Sequence, residues 1–184
     1  MALIQKVTKK FEKKIITNPF LFKLYSLPYY YILKKEIKLA EITADDNVLN
    51  IGCGAAPFSA VYLAQISGAK VVGIDFDTTA CKRGQKCVKS LDLEDKIKIE
   101  KGNGIKYDPA GFNVIHIALQ AEPKKEILLN LFKNADDGTR IIVRHPREFF
   151  AEQYDTFLPT KHSIVDMVKL PMITFNKSFL YVKK

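Results

Sequence analysis

Two glycines one residue apart, Gly52 and Gly54, end the apolar run that opens "NVLNIGCGAAPFSAVYLA" (residues 47 to 64), and a second apolar run follows at once. Glycine has no Cβ, so it takes φ > 0 at little cost and lets a ligand approach the backbone. A dinucleotide-binding G-x-G-x-x-G loop would need a third glycine at position 57, which is Pro. A Walker-type phosphate loop needs Gly-Lys-Ser/Thr, and no Lys follows here. Asp75 closes the next apolar run, "VVGIDFD", 21 residues after Gly54. A carboxylate there can accept hydrogen bonds from both ribose hydroxyls of an adenosine, or it can cap a helix. Asn103 lies between Gly102 and Gly104 in "KGNGIKYD". Its amide offers an adenine edge a donor and an acceptor, although Asn between glycines is also ordinary turn chemistry.

A second group of residues can meet an acceptor. Leu119, Gln120, Ala121 and Glu122 follow the apolar run "FNVIHIAL". Gln120 can orient a polar substrate. Glu122 can bind an amine or take its proton, or serve only as a negative charge at a helix N-terminus. Tyr29 and Tyr30 can form a lid, or simply pack the N-terminal arm on the core. Arg144 can hold a carboxylate in a bidentate grip, or sit in a surface ion pair. His116, inside an apolar strand, reads as a satisfied core residue. No His/Cys/Asp cluster has metal-ligand spacing. Cys53, Cys81 and Cys87 are too few and too widely spaced for a disulfide framework or a zinc site, which fits a reducing cytoplasm.

These residues need elements to hold them. "NVLNIG" reads as a strand, "PFSAVYLAQIS" as a helix, "KVVGIDF" as a strand, and "TTACKRGQKCVKSL" as a helix capped by Thr78 or Thr79. "KIKIEKG" and "FNVIHIAL" are further strands. "EPKKEILLNLFKNA" is a helix with Pro123 in its first turn, and "TRIIVR" is a fifth strand. "SIVDMVKL" and "KSFLYVKK" read as a terminal strand pair. Strands alternating with helices mean a parallel sheet with right-handed crossovers. Ligands in such sheets bind beyond the carboxyl ends of the strands, which is where the glycines fall. Ahead of the core, residues 3 to 16 show helical spacing of Leu3, Val7, Phe11 and Ile15. Asn18-Pro19 reads as a break, and a second helix is expected from about Pro28 to Glu41.

The length of 184 residues suits one α/β domain, divided into a basic, aromatic arm (1–44) and a ligand-binding domain (45–184). The formal charge of +9 is concentrated in the arm. Residues 1 to 40 hold nine Lys and two Glu. The arm is a solvated face, a lid over an anionic ligand, or a contact for an anionic partner such as RNA or a lipid surface. It has no Arg, which argues against base-specific readout. No uninterrupted apolar stretch long enough for a spanning helix is present, and no signal peptide is visible.

Together, "NVLNIGCG", "VVGIDFD" and the terminal strand pair resemble the class I S-adenosylmethionine-dependent methyltransferase superfamily across residues 45 to 184. "KGNG" stands where that superfamily usually places an acidic residue. The resemblance implies a Rossmann-like, mostly parallel seven-stranded sheet with helices on both faces, and S-adenosylmethionine as cofactor. It assigns the cofactor to Gly52, Cys53, Gly54, Asp75, Phe76, Asn103, Gly104, Leu119 and Gln120; Glu122 and Tyr30, placed by the reading above to meet the acceptor, are the candidates for catalysis. Within the superfamily, "IALQAEPKKEILLNLFKNADDGTRIIVRHP", "NKSFLYVKK" and "LPYYYILKKEIKLAE" are similar to the cofactor-binding domain of nicotianamine synthases. Those enzymes move the 3-amino-3-carboxypropyl group rather than methyl, and carry a sizeable N-terminal helical domain where this chain has residues 1 to 44. The resemblance thus implies a transferase acting on a small amine or carboxylate. Methyl transfer is the default and aminocarboxypropyl transfer the alternative. A further alternative is a non-catalytic binding module on the same fold that acts through its basic arm.

Overall fold

The computed structural model describes residues 18–159 and 164–184. The expected helix over residues 3 to 16 lies outside them. In chain order the elements are α1 (Pro19–Leu39), β1 (Asn47–Ile51), α2 (Phe58–Ser67), β2 (Lys70–Asp75), α3 (Thr78–Ser90), β3 (Ile97–Lys101), β4 (Val114–Ile117), α4 (Lys124–Asn134), β5 (Arg140–Pro146), a single 3-10 turn (Glu148–Phe150), β6 (Asp166–Lys169) and β7 (Phe175–Val182).

The strands form one sheet in the order β3-β2-β1-β4-β5-β7-β6. β3, β2, β1, β4 and β5 are mutually parallel, and β7 runs antiparallel to both β5 and β6. This is the seven-stranded Rossmann-like sheet that the resemblance implied. The chain order reverses at β1, whose neighbours are β2 on one side and β4 on the other. The crevice for a ligand opens at such a switch point.

Side-chain alternation divides the core. Val48 of β1 and Val114 of β4 face a layer built with α1, α2 and α3. Leu49, Ile51, Ile115 and Ile117 face a second layer built with α4. α1 joins the first layer through Phe22, Ile32, Leu33 and Ile37, all buried.

α1 differs from expectation. The helix expected from about Pro28 starts already at Pro19, with Asn18 as its cap. The Asn18 side chain accepts from Phe20 N (3.0 Å) and Leu21 N (3.1 Å), and Pro19 follows in the first turn, where a missing N–H costs nothing. The helix then runs through Pro28 to Leu39. An interior Pro deprives the carbonyl four residues earlier of its donor. Burial on both sides of Pro28 outweighs that loss. Two other caps shift by a residue. Asp77, not a Thr, caps α3 by accepting from Thr79 N at 2.7 Å, and Pro123 sits at the cap position of α4 rather than inside its first turn. Among the described residues no helix is long and apolar enough to cross a membrane, and no group of His, Cys, Asp and Glu could hold a metal ion.

Candidate functional site

The turn after β1 is built by its two glycines. Gly52 has φ 78° and Gly54 φ 68°, values that other residues rarely adopt. A Cβ on Gly52 would lie 3.0 Å from the Ala121 side chain, whereas one on Gly54 would meet nothing within 4 Å. Gly52 therefore lets β1 and the β4–α4 turn close together, and Gly54 faces open space. The backbone N–H groups of Gly52 and Cys53 both donate to Ile74 O (2.9 and 3.0 Å). Gly54 N donates to Asp75 Oδ2 at 2.9 Å, and Asp77 N to Asp75 Oδ1 at 3.0 Å. Each carboxylate oxygen of Asp75 thus spends one acceptor site on the backbone and keeps another.

Two cavities share the walls of this loop. The Asp75-side cavity, about 390 Å³, is lined by Asp75, Phe76, Asn103, Gly104, Glu122 and their neighbours. The inner cavity, about 180 Å³, is lined by Cys53, Leu119, Tyr25, Tyr29, Phe58 and Arg144 among others. Gly52, Gly54 and Gln120 line both. Every residue named from the sequence reaches one of the two cavities except Tyr30. Its neighbour Tyr29 stacks on Phe58 (ring centroids 5.1 Å apart) at the inner cavity, while Tyr30 packs edge-on against Tyr62 away from both. One residue of α-helix is a rotation of about 100°, so the pair cannot share a face.

Three other expected residues have local duties. Asn103 Oδ1 accepts from Ile105 N at 3.0 Å, the turn chemistry expected of Asn between glycines, while the residue still lines the cavity. A Cβ on Gly104 would lie 2.8 Å from Ile51 Cγ2, so this glycine serves packing. Glu122 Oε1 accepts from Asp155 N at 3.0 Å, and the residue lines the Asp75-side cavity rather than the inner one. Beside it Lys124 is buried, donating from Nζ to Leu119 O (2.8 Å) and Asp155 O (2.9 Å). Burial lowers the pKa of its amine, against the raising effect of Asp155 and Glu122. These bonds clamp the turn that presents Leu119 and Gln120. The Cys53 thiol is raised by burial and by the Asp75 charge, and stays protonated.

Beneath the inner cavity lies a buried polar cluster. Glu36 of α1 is fully buried. Arg144 donates to it from Nε (2.9 Å to Oε1) and Nη2 (2.7 Å to Oε2), Ser178 Oγ donates to Oε1 at 2.6 Å, and His116 Nε2 lies 3.2 Å from Oε2. Arg144 Nη1 also donates to Ser59 Oγ at 3.0 Å. Arg144 does hold a carboxylate in a bidentate grip, and the carboxylate is the chain's own. Its guanidinium lies 4.9 Å from the ring centroid of Phe175, which also lines the cavity. Burial by itself would raise the Glu36 carboxyl, but the Arg144 and His116 charges and hydrogen bonds hold it well below the usual carboxylate range. Burial and Arg144 together lower His116, which Glu36 only partly opposes. The imidazole is therefore neutral. Asn50 Nδ2, 3.0 Å from Nδ1, donates to it, which assigns the proton to Nε2, facing Glu36. Among the described residues Asn50 Oδ1 is buried without a partner.

The sequence carried a signal for Glu36. It lies three and four residues after Leu33 and Ile32, on their face of the helix. Phe58, Ser59 and Phe175 carried none as cavity residues, because only the packing of α2 and β7 around β5 brings them together.

Residues 42–177 match a family described as a methyltransferase domain. Among curated proteins, the L-histidine 2-aminobutanoyltransferase of Yersinia pestis is 28% identical over 121 residues, which are 66% of this chain and 45% of that protein. An uncharacterized protein of Haemophilus influenzae is 21% identical over 135 residues, 70% of this chain and 53% of that one. The chain thus spans about half the length of the curated relatives it matches. Among solved structures, a point mutant of MtNAS in complex with S-adenosylmethionine superposes with a TM-score of 0.85 at 22% identity, covering 97% of this chain and 72% of that one. An RNA methyltransferase from Salinibacter ruber in complex with S-adenosyl-L-homocysteine gives a TM-score of 0.68 at 18% identity, covering 82% and 89%.

Proposed function

The chain belongs to the methyltransferase domain family, within the class I S-adenosylmethionine-dependent superfamily, and on that premise we propose that it transfers the 3-amino-3-carboxypropyl group of S-adenosylmethionine to a nitrogen of a small amine. The observation that carries this reading is the pair of adjoining cavities. They share Gly52, Gly54 and Gln120 as walls, which suits one ligand running from Asp75 to the Arg144 wall. The name of the Yersinia pestis relative gives an amino acid as acceptor and an aminobutanoyl group as the group moved, which supports the same chemistry here.

The residues present fit the cofactor. Asp75 retains acceptor sites for ribose hydroxyls, Phe76 offers an exposed aromatic face beside them, and Gly54 leaves its surroundings open. Bound there, S-adenosylmethionine supplies a carbon activated by the adjacent sulfonium. The chain's own contribution is alignment and exclusion of water. Tyr25, Tyr29, Phe58 and Phe175 wall the inner cavity with aromatic surface. Among the described residues no carboxylate lines that cavity. The carboxamide oxygen of Gln120 would accept from the amine N–H and orient the nitrogen; the amine would enter already neutral, and the proton left on nitrogen as methylthioadenosine departs would pass to solvent.

Methyl transfer to the same acceptor is the second reading, favoured by the description of the matched family. Incubation with S-adenosylmethionine and a panel of amino acids and polyamines separates the two. Methylthioadenosine as the nucleoside product supports aminocarboxypropyl transfer, and S-adenosylhomocysteine supports methyl transfer. Absence of S-adenosylmethionine binding by calorimetry at high micromolar concentration would sink both and leave a binding module.

A further inference from the structure

α1 carries an apolar stripe that faces away from the core. Phe20, Leu24, Leu27 and Tyr31 follow one another at spacings of four, three and four, the pattern of a seam that packs against something. They are 74%, 63%, 48% and 59% exposed. The opposite face of the helix is the one that meets the core, through Phe22, Ile32, Leu33 and Ile37. A groove of about 410 Å³ runs beside the stripe, lined by Phe22, Leu27, Tyr30, Tyr31, Tyr62 and Leu91. The exposed charges of α1 have one sign. Lys23, Lys34, Lys35 and Lys38 are exposed, and the helix's one acid, Glu36, is buried under Arg144. Lys35 keeps its ammonium exposed while donating to Lys169 O at 3.3 Å.

We propose that this face of α1 docks on an anionic lipid surface, with the Phe20–Tyr31 stripe entering the headgroup layer and the lysines meeting lipid phosphates. Apolar burial and electrostatic attraction act together in interfacial helices of this kind, and each lysine near an anionic surface strengthens the attraction. Charge decides against a second copy of the chain. An isologous contact of α1 on α1 would set lysines against lysines with no exposed acid on the helix to offset them. RNA would satisfy the lysines but leave Leu24 and Leu27 without a partner, because a phosphate backbone offers nothing apolar. The inference is independent of the transfer chemistry.

Co-sedimentation of the full chain with vesicles tests it. Vesicles of phosphatidylcholine with an equal share of phosphatidylglycerol should pellet the protein, and pure phosphatidylcholine should not. Raising salt from about 0.1 M to about 1 M should release most of it, as screening shortens from about 10 to about 3 Å. Leu24→Glu with Tyr31→Glu should lower the bound fraction at least about tenfold while the thermal midpoint, read by circular dichroism, stays unchanged, since both side chains face solvent. Lys34→Glu with Lys35→Glu should remove the preference for anionic vesicles. Failure to pellet with anionic vesicles, or pelleting that the Leu24/Tyr31 variant leaves intact, overturns the proposal. So does salt-sensitive retention by RNA that competes the protein off the vesicles. A concentration-dependent dimer abolished by the same two substitutions overturns it as well.

Discussion

Glu36→Ala strips a buried guanidinium of its counter-charge. Arg144 is 3% exposed, and the Glu36 carboxylate accepts two of its N–H groups, together with Ser178 Oγ and His116 Nε2. Removing one partner of such a pair costs about 3–5 kcal/mol, because the remaining charge stays buried. That is a large part of the ~5–15 kcal/mol by which a domain is stable. For a chain of this size it corresponds to a fall in Tm of roughly 6–20 °C. Urea unfolding at pH 7, followed by far-ultraviolet circular dichroism, reads it as a lower midpoint at unchanged slope. Glu36→Met combined with Arg144→Met removes both charges and should recover most of the loss. Ser178 and His116 would still lack their acceptor, which leaves a deficit of about 1–3 kcal/mol. A Glu36→Ala chain within about 1 kcal/mol of the parent would refute the buried-pair account, as would a double variant no better than the single one.

The same cluster sets a pH dependence. His116 has a pKa lowered from 6.5 in the fold, so below about 6.5 the unfolded chain takes up a proton that the folded chain refuses. Stability should therefore fall as pH drops from 7 to 5, by up to about 1.4 kcal/mol per pH unit, and His116→Gln should flatten that slope. The Glu36 carboxyl is depressed from 4.5, so its contribution is complete above that pH and is lost only in stronger acid; Glu36→Gln should accordingly differ from the parent less at pH 3 than at pH 7. At the glycine loop, Asp75→Asn should weaken S-adenosylmethionine binding by about 1–3 kcal/mol, read by calorimetry, and unaltered affinity would remove Asp75 from the ribose site. Gly52→Ala should destabilise the fold more than Gly54→Ala. Both impose φ > 0 on a Cβ residue at about 1–2 kcal/mol, but only Gly52 would also press on Ala121. Tyr29→Ala, which removes an aromatic wall of the inner cavity, should slow turnover more than Tyr30→Ala does, and equal effects would refute the facing assigned to the pair.

The sequence by itself determined the fold class and the floor of the cleft. Apolar runs alternating between strand and helix periods leave a parallel sheet as the consistent solution, and the glycines, Asp75 and Asn103 each sit at or just beyond the carboxyl end of a strand. These are local facts, set by residues a few positions apart. Position on a helix is also local, but which face turns inward is not. Asn18-Pro19 reads as a break and Pro28 as the start of a helix, yet the chain is helical from Pro19 to Leu39, because burial of Phe22, Ile32 and Leu33 outweighs one missing hydrogen bond. That same packing turned Tyr29 toward the cleft and Tyr30 away from it. The partner of Arg144 lies 108 residues before it in the chain, and no spacing rule reaches that far. Whether Arg144 waited for a ligand's carboxylate or already held one was decided only when α1 settled over β4 and β5. A charge that cannot leave the core must be matched there, and only the tertiary structure shows by what.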